Sequence, residues 1–566
     1  MQHRVHRSID NSLGNPPKSP FIRPHLNGND ADKKSRPGAA FLGTSSSFRI
    51  WAIFICICVI FVITRLLSGT SSSSTAFYNQ DALHPINHFN ASQSAPAPFP
   101  FCPVHGPGDI IGNKYGPHSM AKSRLHLGSG ARIQRLLHRA MSGQPITISV
   151  LGGSIASCHG SGDEPLAASC WPARFFMWWN SVFPHPATQL TNGARRRTDS
   201  SYFAFCHGHH LPDEADLVIL DFDTEDQTDS QALEHFELLV RSILNRRDSP
   251  ALLILGHFSP QFQTAFGFHG PELQHSIVAQ YYDVPHISIK GAMYQDYLTD
   301  PDEYRESYHA DPVLANANGH ELLGDFLTSY FQAQICKGWD AAWGRAFDVP
   351  LLSTDGNGAS GAEGLFGGIR VGGGVGMFNG AGDGPAGRKA AGKAGKGSDQ
   401  AYAAFRIPSG RLSSRPSDLE KLTEAEPFCV AADDLINPLP PSLFYGSGWH
   451  VYHPENDSGS DDNRHYWYST QPTSKLRVPL KVGAGDIAVY YLEEGKSVEE
   501  STSIECWVDD NYPGKVLLRN DGNSGKRPKL VMIDHGVTTG PHFVECQLLE
   551  ALRAVEPFKI LGIFAT

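Results

Sequence analysis

The run Thr147-Ile148-Ser149-Val150-Leu151-Gly152-Gly153-Ser154 decides the fold of this 566-residue chain. It reads as an apolar strand ending in two glycines and a serine, with Ile155-Ala156-Ser157-Cys158-His159-Gly160 behind it. A serine at the carboxyl end of a parallel strand, on a turn whose glycines let the backbone approach a ligand, is where an α/β fold displays a nucleophile. A Gly-Gly-Ser sequence is otherwise only a tight turn. Both readings of Ser154 stay open at this point.

Outward from that strand, short apolar runs alternate with amphipathic stretches from about Ile146, the pattern of βαβ units and a parallel sheet. Further strands are expected at Leu217 to Phe222, Ala251 to Leu255 and His286 to Ile289. Helical spacing marks Trp171 to Val182, Ala232 to Leu244 and Gly319 to Ile335. Together these predict a three-layer α/β domain over residues 145–340. Residues 341–425 are rich in Gly and Ala around Arg388, Lys389, Lys393 and Lys396. Such a composition buries too little apolar surface to offset ordering entropy, so a flexible linker is expected. Residues 426–566 hold short β-type runs: Lys475 to Val482, Asp486 to Leu492, Ser503 to Val508, Val516 to Leu518, Lys529 to Ile533, His542 to Leu548 and Phe558 to Phe564. They predict a separate β-sandwich or jelly-roll domain.

The N-terminal end carries a different signal. Residues 1–49 are polar and read as a disordered tail, and 50–67 are apolar apart from Arg65, close to the roughly 17–25 residues of a spanning helix. Arg4, Arg7, Lys18, Arg23, Lys33, Lys34, Arg36 and Arg49 outnumber Asp10, Asp30 and Asp32 before it, so the positive-inside rule puts the N-terminus in the cytosol. The bland reading is a cleaved signal peptide, but the preceding tail is long for one and no clear cleavage site follows. The expectation is a single-pass type II membrane protein of the Golgi or another secretory compartment, with 68–144 as stem and lead-in and a luminal C-terminus. The short apolar run favours thin early secretory membranes. Cys102, Cys158, Cys170, Cys206, Cys336, Cys429, Cys506 and Cys546 then lie where disulfides form, and the sequons at Asn90 and Asn456 lie where glycans are added. The pairing is not legible. No cysteine spacing suits a metal, so no metal or cofactor is expected. A net charge of -11 without a basic luminal stretch argues against a nucleic-acid partner.

Five blocks in order resemble the SGNH/GDSL hydrolase superfamily and, within it, the fungal capsule-associated proteins. They are Gly152-Gly153-Ser154; Asn192 to Cys206; Asp213 to Asp226; Gln280 to Pro285; and Asp311 to His320. A second likeness to that group lies at Cys506-Trp507-Val508-Asp509-Asp510. The resemblance implies an SGNH-like parallel sheet, Ser154 as nucleophile, Asp311 as the aspartate of an Asp-x-x-His motif, and a role in cell-surface polysaccharide O-acyl metabolism. Departures from the pattern are concentrated in the chemistry. The histidine position holds Leu314, and the two oxyanion-donor positions hold Arg197 and Glu225. Leucine takes no proton, and an ionised Glu225 only accepts hydrogen bonds, so esterase activity is expected to be reduced or lost. Arg197 and Glu225 carry opposite charges at positions that converge in the family fold, which suggests an ion pair.

Other residues bear on that loss. His309 on a loop is a substitute base; His320 opens a helix and fits packing or capping better; His159 follows the nucleophile turn; and His207, His209 and His210 read as surface or capping residues. Asp221, Asp223, Glu225 and Asp226 are an acidic set at a strand end, of which only some can converge. Trp449, Trp467, Trp507, Tyr452 and Tyr468 suit either a core or a sugar-stacking platform. Two functions follow: an SGNH-like hydrolase of weakened power acting on a cell-surface glycan, or a non-catalytic, pseudoenzyme-type glycan-binding partner of glycosyltransferases. Leu314 discriminates between them.

Overall fold

The computed structural model describes residues 83–90, 97–342, 405–417, 424–433, 448–454, 464–494, 501–521, 526–550 and 557–566. The expected cytosolic tail, the apolar run 50–67, most of the Gly/Ala-rich stretch and Asn456 lie outside them. Among the described residues no helix is long and apolar enough to cross a membrane.

One sheet organises the first half. Its strands are β1 (Arg124–His126), β2 (Thr147–Gly152), β3 (Gln189–Asn192), β4 (Leu217–Asp221), β5 (Ala251–Gly256) and β6 (His286–Ser288), in the order β1-β6-β5-β4-β2-β3. β2 to β6 run parallel, and β1 pairs antiparallel with β6 at one edge. Every residue of β4 and β5 is buried, as a parallel sheet covered on both faces requires. Ile148, Val150, Leu217, Ile219, Leu253 and Leu255 point into one core with the helices Ala131–Met141, Trp171–Val182 and Ala317–Ala342. Val218, Leu220, Leu252 and Ile254 point into the other, with Ser200–Cys206, Ser230–Leu244 and Pro271–Tyr281.

Two helices differ from the expected bounds for local reasons. Ser230–Leu244 starts earlier because the Asp229 side chain accepts from the Ala232 N–H at 2.8 Å, satisfying a first-turn donor. Ala317–Ala342 runs past Ile335 because Trp339, 1% exposed, extends its apolar face. The edge strands β1 and β3 are too short to show a periodicity.

The second half is a β domain of two antiparallel sheets. Its strands are β7 (Phe428–Ala431), β8 (Trp449–Tyr452), β9 (Tyr466–Ser469), β10 (Lys475–Val482), β11 (Ile487–Glu493), β12 (Ser503–Val508), β13 (Val516–Arg519), β14 (Arg527–Asp534), β15 (Gly540–Leu548) and β16 (Phe558–Ala565). One sheet runs β10-β15-β12-β13, the other β14-β11-β16-β9-β8 with β7 also on β16. Leu476, Val478, Leu480 and Val482 alternate inward along β10 to meet Val489, Tyr491, Ile560 and Ile563.

Sequence position leaves open whether this domain touches the first, and in the structure the two share a core. β11 and β16 are buried at every residue, because one face fills the sandwich core and the other lies on the α/β domain. Ala488, Tyr490, Leu492, Leu530, Leu561 and Phe564 share a single core with Tyr202, Phe205 and Phe236. The Cys206–Cys429 disulfide joins the two domains covalently. The expected linker is also firmer at its end: Arg241 reaches the carbonyls of Pro408 and Gly410, and the Leu412 N–H donates to Glu237. Ile407 and Leu412 pack on the shared core, which is enough apolar contact to hold the stretch down.

Candidate active site

Ser154 stands two residues past the end of β2 and is 4% exposed. Its neighbour strand β4 leads into Phe222–Asp226, so Glu225 comes to lie over the turn. A Cβ at Gly153 would fall 1.9 Å from Glu225 Cγ, so only glycine admits the glutamate here. Glu225 Oε1 accepts from the Ser154 N–H at 2.8 Å. On the other side, the Arg197 N–H donates to Ser154 Oγ at 2.9 Å. Arg197 has φ 51°, the left-handed conformation that glycine adopts at no steric cost. The donor at this position is the main chain, and it survives the arginine side chain.

Two expectations change. No ion pair joins Arg197 to Glu225 among the described residues, because Glu225 is turned onto the Ser154 main chain. Nor is Glu225 a simple carboxylate: burial, opposed by its hydrogen bonds from Ser154, pushes its carboxyl up to about 7, with Asp199 and Asp226 adding to the rise. A neutral carboxylic acid carries one donor as well as acceptors.

The base is where the site departs most from a working triad. Leu314 packs against the first core, and a Cβ on Gly160 would lie 3.2 Å from its Cβ, which places Leu314 beside the loop that follows Ser154. Asp311 is exposed and accepts from the N–H groups of Val313 and Leu314 at 2.7 and 2.6 Å, as a turn residue. His309 is held rather than loose: its main chain pairs with Ala315, and its ring stacks on His257 at 5.5 Å. Burial lowers the His309 imidazole to about 4. His320 is fully buried, accepts from the Trp171 N–H at 3.4 Å, and is lowered by burial to about 3. The structure does not bring these two histidines into hydrogen-bond contact with Ser154.

His159 stands closer in the chain. Its N–H donates to the Ser154 carbonyl at 3.0 Å, and its Nδ1 lies 2.7 Å from Asp163 Oδ1. Arg196, next to Arg197, holds the same Asp163 oxygen at 2.9 Å. The loop carrying them is closed by the Cys158–Cys170 disulfide. The signal for this pair was the i, i+4 spacing of His159 and Asp163. Its partner Arg196 comes from a distant loop and was not legible.

Below the turn, the acidic set is organised around a histidine that sequence reading missed. His275 Nδ1 meets Asp223 Oδ1 at 2.6 Å and its Nε2 meets Asp226 Oδ2 at 2.9 Å, all three fully or nearly fully buried. Burial opposes its charge, but the hydrogen bonds it donates to both carboxylates outweigh it and raise the imidazole to about 9. Asp226 also accepts from the Ser200 N–H at 2.7 Å, fixing the segment that follows Arg197. Asp221 accepts from Trp171 Nε1 at 3.1 Å, and burial raises its carboxyl to about 8. No group of side chains arranged to hold a metal is found among the described residues.

Elsewhere, Trp449, Trp467 and Trp507 are at most 4% exposed and belong to the interior, not to a stacking platform. Tyr452 and Tyr468 are half-buried, Tyr452 stacked on Tyr466. His207 is buried against the Phe203 carbonyl and His210 bonds Tyr202, while His209 is exposed. Asn90 is exposed. All eight cysteines expected in an oxidising compartment are paired, the remaining bonds being Cys102–Cys336 and Cys506–Cys546.

No protein-family model and no curated protein matches the chain. Among solved structures, a two-domain esterase active on acetylated mannans is similar, both co-crystallized with mannopentaose and in a second crystal structure. Each is 18% identical with a TM-score of 0.50, covering 79% of this chain and 97% and 98% of theirs. The likeness is one of fold, and it extends over both domains: the chain is an α/β domain with a parallel sheet followed by a β domain.

Proposed function

We propose that this chain is an SGNH-type carbohydrate-esterase relative, akin to the fungal capsule-associated proteins, that acts slowly on O-acetyl groups of a cell-surface polysaccharide. The observation that carries the reading is Ser154 Oγ at the carboxyl end of β2 with the Arg197 N–H upon it. A type II anchor at 50–67 would place both domains in the lumen of the Golgi or a neighbouring secretory compartment, in keeping with four disulfides. The fold shared with an esterase active on acetylated mannans supports the substrate class.

In this reading Ser154 Oγ adds to the acetyl carbon and its proton passes to His159, held by Asp163 through Nδ1, whose ring has to swing onto the Ser154 hydroxyl to take it. The carbonyl oxygen becomes an oxyanion facing the Arg197 N–H. The bond to the sugar oxygen then breaks, and that oxygen leaves with the proton from His159. Water, giving its proton to the same histidine, releases acetate and restores Ser154. The reaction is slow because the His159 ring rests on Asp163 and makes no hydrogen bond to Ser154.

The test is acetate release from acetylated mannan by the full-length protein, with Ser154→Ala as control and a fluorophosphonate serine probe in parallel. Turnover and labelling that both disappear in Ser154→Ala are expected, and activity untouched by that substitution would refute the reading. Leu314 favours a second reading, a glycan-binding partner of glycosyltransferases without turnover. Binding of the acetylated polymer with neither acetate release nor labelling would establish it instead.

A further inference from the structure

Two main-chain donors flank the Ser154 hydroxyl, its own N–H and that of Arg197. An ester carbonyl oxygen brought to Ser154 has to use them, since they are the donors aimed at the place where negative charge develops. Glu225 already holds one. Its carboxyl lies on the Ser154 N–H at 2.8 Å and is fixed there by the missing Cβ of Gly153. As a carboxylate it competes with the carbonyl oxygen and repels the oxyanion. As a neutral acid it keeps one oxygen as acceptor and offers an O–H from the other.

We propose that Glu225 is a catalytic residue of this site, donating its acid proton in a hydrogen bond to the ester carbonyl oxygen when neutral and blocking the same position when ionised. The inference rests on Ser154 being the nucleophile and adds a regulation to it: acyl transfer is open on the acid side and closes as Glu225 ionises. The groups around Glu225 favour the neutral form. Asp199 at the start of the helix Ser200–Cys206, Asp226 next in the chain and Asp221 at the end of β4 all contribute negative charge or its potential. The compensating cation, His275, is engaged by Asp223 and Asp226. Arg197 approaches with its main chain, and its side chain forms no ion pair with Glu225 among the described residues. Burial accordingly raises the carboxyl to about 7.

The experiment follows Ser154-dependent fluorophosphonate labelling of the full-length protein from about pH 7 to about pH 9. In the native protein the rate is expected to fall roughly 10²-fold, the usual loss for one oxyanion donor. Glu225→Gln, whose amide donates at every pH, should hold the rate near the native acid plateau across the range. Glu225→Asn gives a second neutral donor in case the glutamine packs poorly, and circular dichroism confirms the fold of each. Identical pH profiles in native protein and both amide variants would overturn the role of Glu225 while leaving Ser154 as nucleophile. Labelling absent from all of them, or persisting in Ser154→Ala, overturns the nucleophile itself and this inference with it.

Discussion

At the residue scale, the site turns on what the main chain does when side chains change. Arg197 sits in a conformation that costs a non-glycine residue roughly 1 kcal/mol, yet its N–H reaches Ser154 Oγ as a glycine's would. Arg197→Gly is therefore expected to stabilise the protein by about 0.5–1 kcal/mol in denaturant titration and to leave labelling of Ser154 within about threefold. A loss of labelling beyond tenfold would show that the guanidinium, not the N–H, matters. Ser154 was legible from its strand and turn, and Glu225 as a position from the resemblance of its block. Their relation was not, since it depends on the absence of one Cβ at Gly153 and on a backbone angle at Arg197. His275 was invisible for a simpler reason: it lies 49 and 52 residues from the two aspartates it joins. Removing it strands two buried carboxylates, so His275→Ala should cost about 3–5 kcal/mol of stability. A change below 1 kcal/mol would mean that the His275 bridge adds little to the fold.

At the element scale, most strands and the long helices were legible because each carries enough residues to show a period. β10 alternates cleanly, and its bounds are those expected. What sequence position concealed was the docking of the two domains. The signal existed: residues 487–492 and 560–565 are apolar at successive positions, which means cover on both faces, whereas a free sandwich would show alternation. Phe564 tests this, since it stacks on Phe205 of the other domain at 5.4 Å and is fully buried. Phe564→Ala should cost about 3–5 kcal/mol and lower the unfolding transition of both domains together. Two separated transitions in calorimetry, with only the later one shifted, would contradict a shared core.

At the scale of the whole molecule, buried titratable groups set a pH window for stability, and the two signs can be worked out separately. His207, His235 and His309 are lowered by burial to about 4, and His210, His286 and His320 to about 3. Unfolded, each titrates near 6.5 and takes up protons that the folded chain refuses, so their contribution is present above 6.5 and is lost as pH falls toward 3. The opposite set holds protons that the unfolded chain releases. His275 is raised to about 9, so its contribution is full below 6.5 and disappears as pH rises through 9. Buried Asp221, raised to about 8 from 3.8, and Glu225, raised to about 7 from 4.5, also favour the folded state less as pH climbs. Below 6.5 the lowered histidines, His257 among them, outnumber the raised carboxyls, Asp199 and Glu272 included; above it only falling contributions remain. Thermal unfolding of the full-length protein should therefore peak near pH 6.5 and decline on both sides. Asp221→Asn keeps an acceptor for Trp171 Nε1 and cannot ionise, so it should flatten the alkaline decline without moving the acid one. A melting temperature that climbs steadily to pH 9, or an alkaline limb indifferent to Asp221→Asn, would mean that these groups are hydrated in the folded protein and that the acidic floor beneath Ser154 is open to water.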